Sequence, residues 1–461
     1  MARSGMPLLW WGLLVCTAGF FVSLNGCGGG GSGSSTTPPP SKIQHVVVIF
    51  QENRTPDNLF QDPVLVQRGA DIQNYGINSH GQKITLTPTT LQTNYDINHG
   101  HDGFLQMYDH GKMDGADKVL VKCVPNAPPT CPPANTQFQY IDPSGIGPYF
   151  QLAESYTFGD RMFQTNQGPS FPAHQYIISG TSAPSVGSNL FVAENPIPLA
   201  NAGCIALPDV TVALIDPSGS EAQKIYPCFD HPTLTDELNS SAISWRYYAP
   251  SAGIIWNAPN AIEHMCVPNQ PPPNGTACTG SDWNNHVVLQ YQQVLSDIQS
   301  GQLATVSWVI PNGQSSDHAI VNDGSGPSWV ASVVNAIGNS QYWSDTAIFI
   351  TWDDWGGWYD HVAPTVINSY EYGFRVPLIV VSPYAKAAYI SHVPHHFGSI
   401  LKYIEENFGL SSLGYADANA DDFSDCFDYN QTPLPFHTIA TPLEANYFLR
   451  DTRPPTDPDD D

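Results

Sequence analysis

Two stretches of this 461-residue chain end in polar residues of the kind that bind metal ions: HVVVIFQEN at residues 45–53, and TAIFITWDDWGGWYDH at residues 346–361. Each begins with a short run of β-branched and apolar residues, which predicts a strand that is buried on both faces in a parallel sheet. Glu52 and Asn53 follow the first strand, and Asp353 and Asp354 follow the second. Because ligand sites of open α/β sheets lie at the carboxyl ends of strands, these pairs predict a hydrolytic metal site.

The rest of the chain alternates strand-like and helix-like segments. Strands are predicted at 45–50, 243–248, 305–310, 346–351 and 375–382. Helices are predicted at 100–109, 147–156, 172–180, 284–299, 328–339 and 397–408. The last helix has an apolar face that should pack on the sheet. This alternation predicts an α/β fold with a mostly parallel central sheet flanked by helices, and the long loops between the elements should shape a substrate pocket.

The N-terminus has the features of an export signal, with Arg3 before a long apolar run. The run ends in Leu-Asn-Gly-Cys, which resembles a bacterial lipobox and implies a signal peptide at residues 1–26 and lipid on the sulfur of Cys27. The alternative is an uncleaved transmembrane anchor, since the run is nearly long enough to span a bilayer. A flexible Gly/Ser/Pro tether follows at 27–41. Either interpretation predicts an exported, membrane-anchored protein in the periplasm or on the cell surface.

Composition limits the partners of the folded part, which is predicted to be one catalytic domain at residues 42–448. Charged residues make up 13% of the chain, yet the formal net charge is −26, so the surface charge is mostly acidic. Nucleic acid is therefore not an expected partner, because binding to a phosphate backbone needs clustered Lys and Arg. The acidic end at 449–461 is predicted to be a disordered tail. Sequence leaves the oligomeric state undetermined.

Six cysteines form three close sequential pairs around loops that lack periodicity. Local disulfides that staple these loops are the natural interpretation for an exported chain. Cys426 is left over, and we interpret it as a buried free thiol rather than a reactive one. The expected disulfides join Cys123 with Cys131, Cys204 with Cys228, and Cys266 with Cys278.

Ser170 lies in GPSFPAHQ, where a helical pattern starts at Pro172 or Ala173. This position allows two interpretations. Ser170 is either the N-cap of the helix, a common use of serine, or a nucleophile placed where exposed amides and the helix dipole bind an anion. The acidic pairs elsewhere in the chain favour the nucleophile, because a divalent cation would lower the pKa of the hydroxyl.

Several histidines lie among Asp, Asn and Gly rather than in apolar runs. His99 in DINHGHDGF and His318 in GQSSDHAIVNDG are predicted to contact phosphate or to donate a proton, since a leaving alkoxide needs an acid with a pKa near neutrality. For His361, an ordinary loop histidine and a functional one are equally good interpretations.

Together these segments resemble the phosphoesterase family of bacterial and plant phospholipases C and bacterial acid phosphatases. The resemblance rests on HVVVIFQENRTPDNLF, GPSFPAHQYIISGTSA, SSDH, TAIFITWDDWGGWYDHVAP and YGFRVPLIVVSPYAK, in family order between residues 43 and 410. It implies an alkaline-phosphatase-like fold and a phosphorylated nucleophile. Family phospholipases generally carry threonine at the position of Ser170, whereas serine is typical of the acid phosphatase branch.

The resemblance also implies the roles of individual residues. It makes Ser170 the nucleophile and a metal ligand, and it places His99 and His318 in the phosphate pocket. The identity of the single divalent ion stays open, because a set of oxygen ligands suits Ca²⁺ or Mg²⁺ and four-coordinate Zn²⁺ is also possible. The remaining metal ligands that the resemblance implies are Glu52, Asn53, Asp353 and Asp354.

The sequence therefore predicts a metal-dependent phosphoric ester hydrolase that acts through a phosphoserine. A phosphomonoesterase and a phospholipase C are nearly equal expectations, so the substrate is a small phosphate ester or a phospholipid head group. An alternative from another class is a lipid-anchored surface binding protein that uses the same fold without turnover, with its long loops as a recognition surface.

Overall fold

The computed structural model describes residues 41–199 and 201–456. The predicted signal peptide, and the predicted tether except residue 41, lie outside this part of the chain. Among the described helices, none combines the length and the hydropathy that a bilayer span requires.

A nine-stranded sheet forms the centre of the fold. Its strands are β1 His45–Gln51, β2 Thr157–Phe163, β3 Trp245–Tyr248, β4 Val287–Val288, β5 Val306–Val309, β6 Thr346–Trp352, β7 Arg375–Val381, β8 Tyr389–Ser391 and β9 His395–His396. Its order is β4-β3-β5-β1-β6-β7-β2-β8, and β9 also pairs with β2. Strand β7 runs antiparallel to β6 and β2, and the other described pairings of this sheet are parallel. The predicted mostly parallel α/β sheet is therefore confirmed.

The described helices pack around this sheet and mostly match the predicted segments. The prediction of one helix at 284–299 is wrong. This segment contains parts of two helices, with β4 and a turn between them, because residues of β4 pair with β3 and are therefore extended. The helices are α1 Pro56–Leu59, α2 Pro63–Gln67, α3 His101–Tyr108, α4 Gly147–Ser155, α5 Ser170–Ser179, α6 Leu234–Ser240, α7 Glu263–Cys266, α8 Ser281–His286, α9 Gln293–Gln299, α10 Gly326–Gly338, α11 Phe397–Phe408 and α12 Ala445–Leu449.

Strands β1 and β6 lie side by side in the interior of the sheet. Every residue of β6 is buried, and so is every residue of β1 after His45. Side chains of a strand alternate between the two faces of a sheet, so this burial shows that both faces are covered by packed structure. The β-branched runs of the sequence predicted this placement.

Smaller sheets and a second apolar cluster cover the carboxyl end of β6. The cluster joins Trp355 and Trp358 of the loop after β6 with Phe104 and Met107 of α3. Burial of large aromatic side chains anchors this loop. The small sheets pair Tyr75–Ile77 with Lys83–Thr85, Thr87–Thr89 with Gln139–Ile141, Tyr95–Ile97 with Val121–Cys123, and Val212–Ile215 with both Phe191–Val192 and Gln223–Ile225.

Three disulfides staple the loops, and all three predicted pairs are confirmed: Cys123–Cys131, Cys204–Cys228 and Cys266–Cys278. Cys426 is free and buried, as predicted.

The described part of the predicted acidic tail, up to residue 456, contacts the domain. Arg453 forms an ion pair with Asp323, with 2.5 Å between the charged atoms. The backbone N–H of Thr456 donates a hydrogen bond to the side chain of Asn312. Residues 450–456 therefore pack against the loop that follows β5.

Candidate active site

The ends of β1 and β6 bring the two predicted ligand pairs together. Gln51 is paired with Trp352, so Glu52 and Asn53 leave the sheet beside Asp353 and Asp354. The N–H of Asn53 donates to Oδ1 of Asp353 at 3.1 Å. All four side chains of the two pairs are buried. The parallel register thus places polar side chains from opposite ends of the sequence in one buried cluster.

An unusual backbone conformation allows this close approach. Asn53 has φ of 63°, in the left-handed region that asparagine tolerates better than most residues. Gly356 has φ of 61°, and a Cβ at this position would lie 2.4 Å from the carbonyl oxygen of Asn53. Only glycine fits here, because any side chain would push the loop after β6 away from Asn53.

Ser170 is the first residue of α5 and lies at the same cluster. Its hydroxyl donates to Oδ2 of Asp354 at 3.3 Å, and it makes no capping hydrogen bond, because Pro169 is the N-cap. The N-cap interpretation is therefore wrong, and the helix begins two residues before Pro172. The hydroxyl is directed to the acidic cluster instead of to the helix backbone.

His174 belongs to this cluster, although its sequence context did not single it out. It lies four residues after Ser170 on α5, and residues with this spacing share a helix face. Its Nε2 is 3.3 Å from Oε1 of Glu52 and 3.8 Å from Oδ2 of Asp353. The signal that could have found it is the i, i+4 pairing of Ser170 with a histidine in GPSFPAHQ.

His99 and His318 lie next to each other, with ring centroids 5.7 Å apart. Nε2 of His99 is 3.0 Å from Nδ2 of Asn53, and its Nδ1 is 2.8 Å from the carbonyl oxygen of Ile97. Nδ1 of His318 is 2.8 Å from the carbonyl oxygen of Ala319. The structure thus brings both predicted histidines to the cluster, and His99 contacts one of the predicted metal ligands directly.

The buried atoms fit a divalent cation. One ligand atom from each of Glu52, His174 and Asp353 lies within 4.8 Å of the others. Oδ1 of Asn53 and Oδ2 of Asp353 are buried and accept no hydrogen bond from the described residues. Buried carboxylates are costly unless they are paired or coordinate a metal. Carboxylate, carboxamide and imidazole groups together match the donors that Zn²⁺ or a harder ion accepts.

Comparison with known proteins identifies the family. The model of the phosphoesterase family matches residues 43–411. The chain belongs to the phosphoesterase family. Relatives include the hemolytic phospholipase C of Pseudomonas aeruginosa, which is 24% identical over 80% of this chain and 53% of the relative. The non-specific phospholipase C6 of Arabidopsis thaliana is 24% identical over 90% of this chain and 78% of the relative.

The matches cover different fractions of the proteins that are compared. This family member spans 53% and 58% of the lengths of the two P. aeruginosa phospholipases C that it matches. Among solved structures, a Vibrio parahaemolyticus protein of the alkaline phosphatase superfamily matches 82% of this chain and 72% of its own, at 9% identity and a TM-score of 0.35.

A second buried network supports the active site of this phosphoesterase family member. Asp317, the residue before His318, accepts hydrogen bonds from the Tyr149 hydroxyl at 2.8 Å and from the Trp352 indole at 2.9 Å. Burial raises the pKa of Asp317 to about 6, although the charge of Arg54 opposes this shift. The network links the loop that carries His318 to the end of β6.

An ion network lies behind the two ligand loops and includes His361. Its Nδ1 is 2.7 Å from Asp57 and its Nε2 is 3.0 Å from Asp71. Burial alone would lower the pKa of His361, but its hydrogen bond to Asp57 and the charges of Asp57 and Asp360 outweigh burial and raise it to about 9. The guanidinium of Arg375 donates to both carboxylate oxygens of Asp360. His361 is therefore part of a buried set of ion pairs.

A cavity of about 280 Å³ adjoins the cluster. Its lining includes Gly100, the residue after His99, and Asn195. Oδ1 of Asn195 accepts a hydrogen bond from the backbone N–H of Phe171, the residue after Ser170. Leu120 and Ile197 line it and are 67% and 55% exposed. The lining thus combines polar and charged side chains, including Asp102, Lys122 and Glu194, with two apolar side chains that are exposed to solvent.

Proposed function

We propose that this protein is a metal-dependent phosphoric ester hydrolase that acts through a phosphoserine. The observation that carries the proposal is the hydrogen bond of the Ser170 hydroxyl to Asp354 within a buried acidic cluster. Such a cluster is costly to bury without a cation, and a hydroxyl beside it has the position of an activated nucleophile. Membership of the phosphoesterase family supports the same chemistry.

The residues that would hold the ion are Glu52, Asn53, Asp353, Asp354 and Ser170, with His174 as a sixth ligand or a partner to the carboxylates. A bound divalent cation would supply positive charge that lowers the pKa of the hydroxyl and stabilises the charge on phosphate oxygens.

Ser170 is the group that attacks phosphorus. The Oγ–P bond forms as the ester P–O bond breaks, and Oδ2 of Asp354 is the nearest acceptor for the proton of the hydroxyl. His318 is our candidate for the acid that protonates the leaving alkoxide, because a neutral-range acid is needed there. Water then attacks the phosphoserine from the face that the alcohol has left. The new O–P bond forms as the Oγ–P bond breaks, His318, now the base, takes the proton of the water, and Asp354 returns the proton to Oγ of Ser170.

The substrate is proposed to be a phosphate ester with an amphipathic alcohol, as in a phospholipid. The support is the cavity lining, where Leu120 and Ile197 expose apolar side chains among polar and charged ones. The names of the relatives, which are phospholipases C, agree with this choice. A small phosphomonoester is the second candidate, because Ser170 stands where the resemblance gives phospholipases C a threonine.

The test compares p-nitrophenyl phosphate with p-nitrophenyl phosphorylcholine, with and without EDTA and with divalent metals restored. We expect EDTA to abolish turnover and metal to restore it. The Ser170→Ala variant should lose several orders of magnitude in kcat, whereas Ser179→Ala, at the other end of α5, should keep it. A phosphate-sized mass increase on the Ser170 peptide after an acid quench would identify the intermediate. Wild-type turnover by Ser170→Ala would refute the mechanism. If the wild-type protein hydrolyses neither substrate, the alternative of a surface binding protein without turnover would be favoured.

We further propose that the protein is exported and anchored by lipid on Cys27. The three disulfides support export, because disulfides persist in oxidising compartments. Membrane fractionation of wild type and Cys27→Ser tests the anchor. The variant should leave the membrane fraction, and its retention there would favour the uncleaved anchor.

A further inference from the structure

A second group of potential metal ligands lies at the edge of the central sheet, formed by His395, Asp425 and Cys426. Each offers one ligand atom, and the three atoms lie within 4.8 Å of one another. His395 belongs to β9, and the other two residues belong to the segment near the C-terminus. None of these residues takes part in the proposed hydrolysis. His395 and Cys426 have no exposed surface.

The distances within this group match a tetrahedral ion site. Nε2 of His395 is 3.6 Å from Oδ1 of Asp425 and 3.9 Å from Sγ of Cys426. Sγ is 3.5 Å from the same carboxylate oxygen. Usual zinc bond lengths would place ligand atoms roughly 3.3 to 3.6 Å apart around a tetrahedral ion. Two of the three separations already agree, and the third needs to close by a few tenths of an ångström.

The surroundings of His395 also have the form expected at a metal site. Its Nδ1 is 2.8 Å from Oδ1 of Asp421. Histidines that bind metal almost always donate their other N–H to a carboxylate or carbonyl, which fixes the tautomer with Nε2 toward the ion. Ser391 Oγ, 3.0 Å from Nε2, is the nearest further oxygen for a fourth position. The side chain of Asp425 is 19% exposed, which gives an ion a path from solvent.

A catalytic thiol and a buried ion network both fit this group less well than a metal site does. A Cys-His-Asp nucleophile would need an accessible thiol, and Cys426 is fully buried. A buried ion network like the one around Arg375 would need a cationic side chain at its centre, and among the described residues no Lys or Arg side chain forms an ion pair with Asp425 or hydrogen bonds to the side chains of the other two.

We propose that His395, Asp425 and Cys426 bind a structural zinc ion, separate from the metal of the active site. Thiolate, imidazole and carboxylate form a donor set for Zn²⁺, whereas Ca²⁺ and Mg²⁺ prefer oxygen alone. The ion would join the segment 421–426 to β8 and β9, in addition to the hydrogen bonds that the carbonyl of Cys426 accepts from Lys386 and Thr157. This proposal does not depend on the proposed hydrolytic function.

Cobalt substitution in the full chain, purified with reductant and stripped by chelator, tests the site. Thiolate bound to Co²⁺ gives a near-ultraviolet charge-transfer band, and neither the proposed active site nor a disulfide can supply this thiolate. We expect the band to reach the intensity of one thiolate-bound Co²⁺ per chain and to disappear on addition of Zn²⁺. It should be absent from Cys426→Ser and strongly weakened in His395→Gln. The control Asp353→Asn, changed in the proposed active site, should keep it.

The absence of the band in wild type, or its persistence in Cys426→Ser, would overturn the proposal. Because either variant could fold poorly, X-ray absorption of the zinc-loaded wild type provides an independent measurement. It should show one sulfur at about 2.3 Å from zinc. If no sulfur is found among the zinc ligands, the three residues form only hydrogen bonds and the proposal is wrong. Cys426→Ser should also retain wild-type hydrolysis, while its thermal midpoint rises less with zinc than that of wild type, because only the active-site ion then stabilises it.

Discussion

Replacement of Arg375 should be among the most destabilising single changes in this protein. Its side chain is fully buried, and it donates to both oxygens of Asp360, at 2.8 and 2.9 Å. It also donates to the backbone carbonyls of Asp71 and Asp160, each at 2.8 Å, and contacts Asp57 at 3.4 Å. Arg375 thus joins the segment after β1, the loop after β6 and strand β2.

The magnitude follows from what Arg375→Met leaves behind. Methionine fills much of the volume, so the loss is mainly electrostatic, and the carboxylates of Asp57 and Asp360 stay buried without the guanidinium. Breaking a buried ion pair by removing one partner costs about 3–5 kcal/mol in the free energy of unfolding. His361 still forms an ion pair with Asp57 when its ring is protonated, so the expected loss in the free energy of unfolding stays within that range. Arg375→Lys keeps the charge but loses the two-pronged contact, so its loss should be smaller.

The assay is equilibrium unfolding in guanidinium chloride, followed by tryptophan fluorescence. Arg246→Met is the matched control, because its ion pair with Asp297 is 3.3 Å long and its side chain is 34% exposed. Partly exposed pairs contribute about 0.2–1 kcal/mol, so this variant should unfold near wild type. A loss for Arg375→Met no larger than that of Arg246→Met would show that the ion network does not hold the two ligand loops, and would refute this reasoning.

Three further predictions concern residues in and around the candidate active site. The pKa of His361, raised to about 9 by its neighbouring carboxylates, means that its ion pairs contribute fully below pH 6.5 and are lost as pH rises through 9. Thermal midpoints of wild type should therefore fall across this range more than those of His361→Gln. Gly356→Ala forces a Cβ against Asn53 and should lower kcat about 10²-fold, whereas Gly145→Ala, in open space, should not. His174→Ala should weaken activating metal binding about 10- to 100-fold, read from the metal dependence of hydrolysis.

Five of the nine strands of the central sheet could be predicted, because runs of apolar and β-branched residues indicate their burial. The two- and three-residue strands β4, β8 and β9 were not predicted, because they are too short to show a pattern. Strand β2 was also not predicted. Its sequence, TFGDRMF, contains Gly, Asp and Arg, which are not typical of a central strand. Tertiary contacts explain why it is one. Gly159 lets the side chain of Leu378 on β7 approach, where a Cβ would lie 2.8 Å away. Asp160 is buried but accepts a hydrogen bond from the N–H of Asp71 at 2.7 Å. These partners are distant in sequence, so local propensity could not reveal them.

The candidate site was more predictable than its detailed contacts. Glu52 and Asp353 could be selected because each directly follows an apolar run, and strand ends are where α/β sheets place ligands. His174 could not be selected on this basis, because it does not follow a strand. Its partners Glu52 and Asp353 are known only once α5 is placed against the ends of β1 and β6. The start of α5 was also predicted two residues late, which obscured that Ser170 and His174 share one face.

The two predicted phosphate-pocket histidines differ in a way that only the structure reveals. When His99 is neutral, its Nδ1–H donates to Ile97 and its Nε2 accepts from the amide of Asn53. This contact directs Oδ1 of Asn53 away from His99, and that oxygen accepts no hydrogen bond from any described residue. His99 therefore orients a proposed metal ligand before it can contact phosphate. In His318, Nδ1 donates to the carbonyl oxygen of Ala319, so when the ring is an imidazolium the proton on Nε2 is the one that can be transferred. Of the two, His318 is the better candidate for proton transfer to the leaving group, and His99 for positioning Asn53.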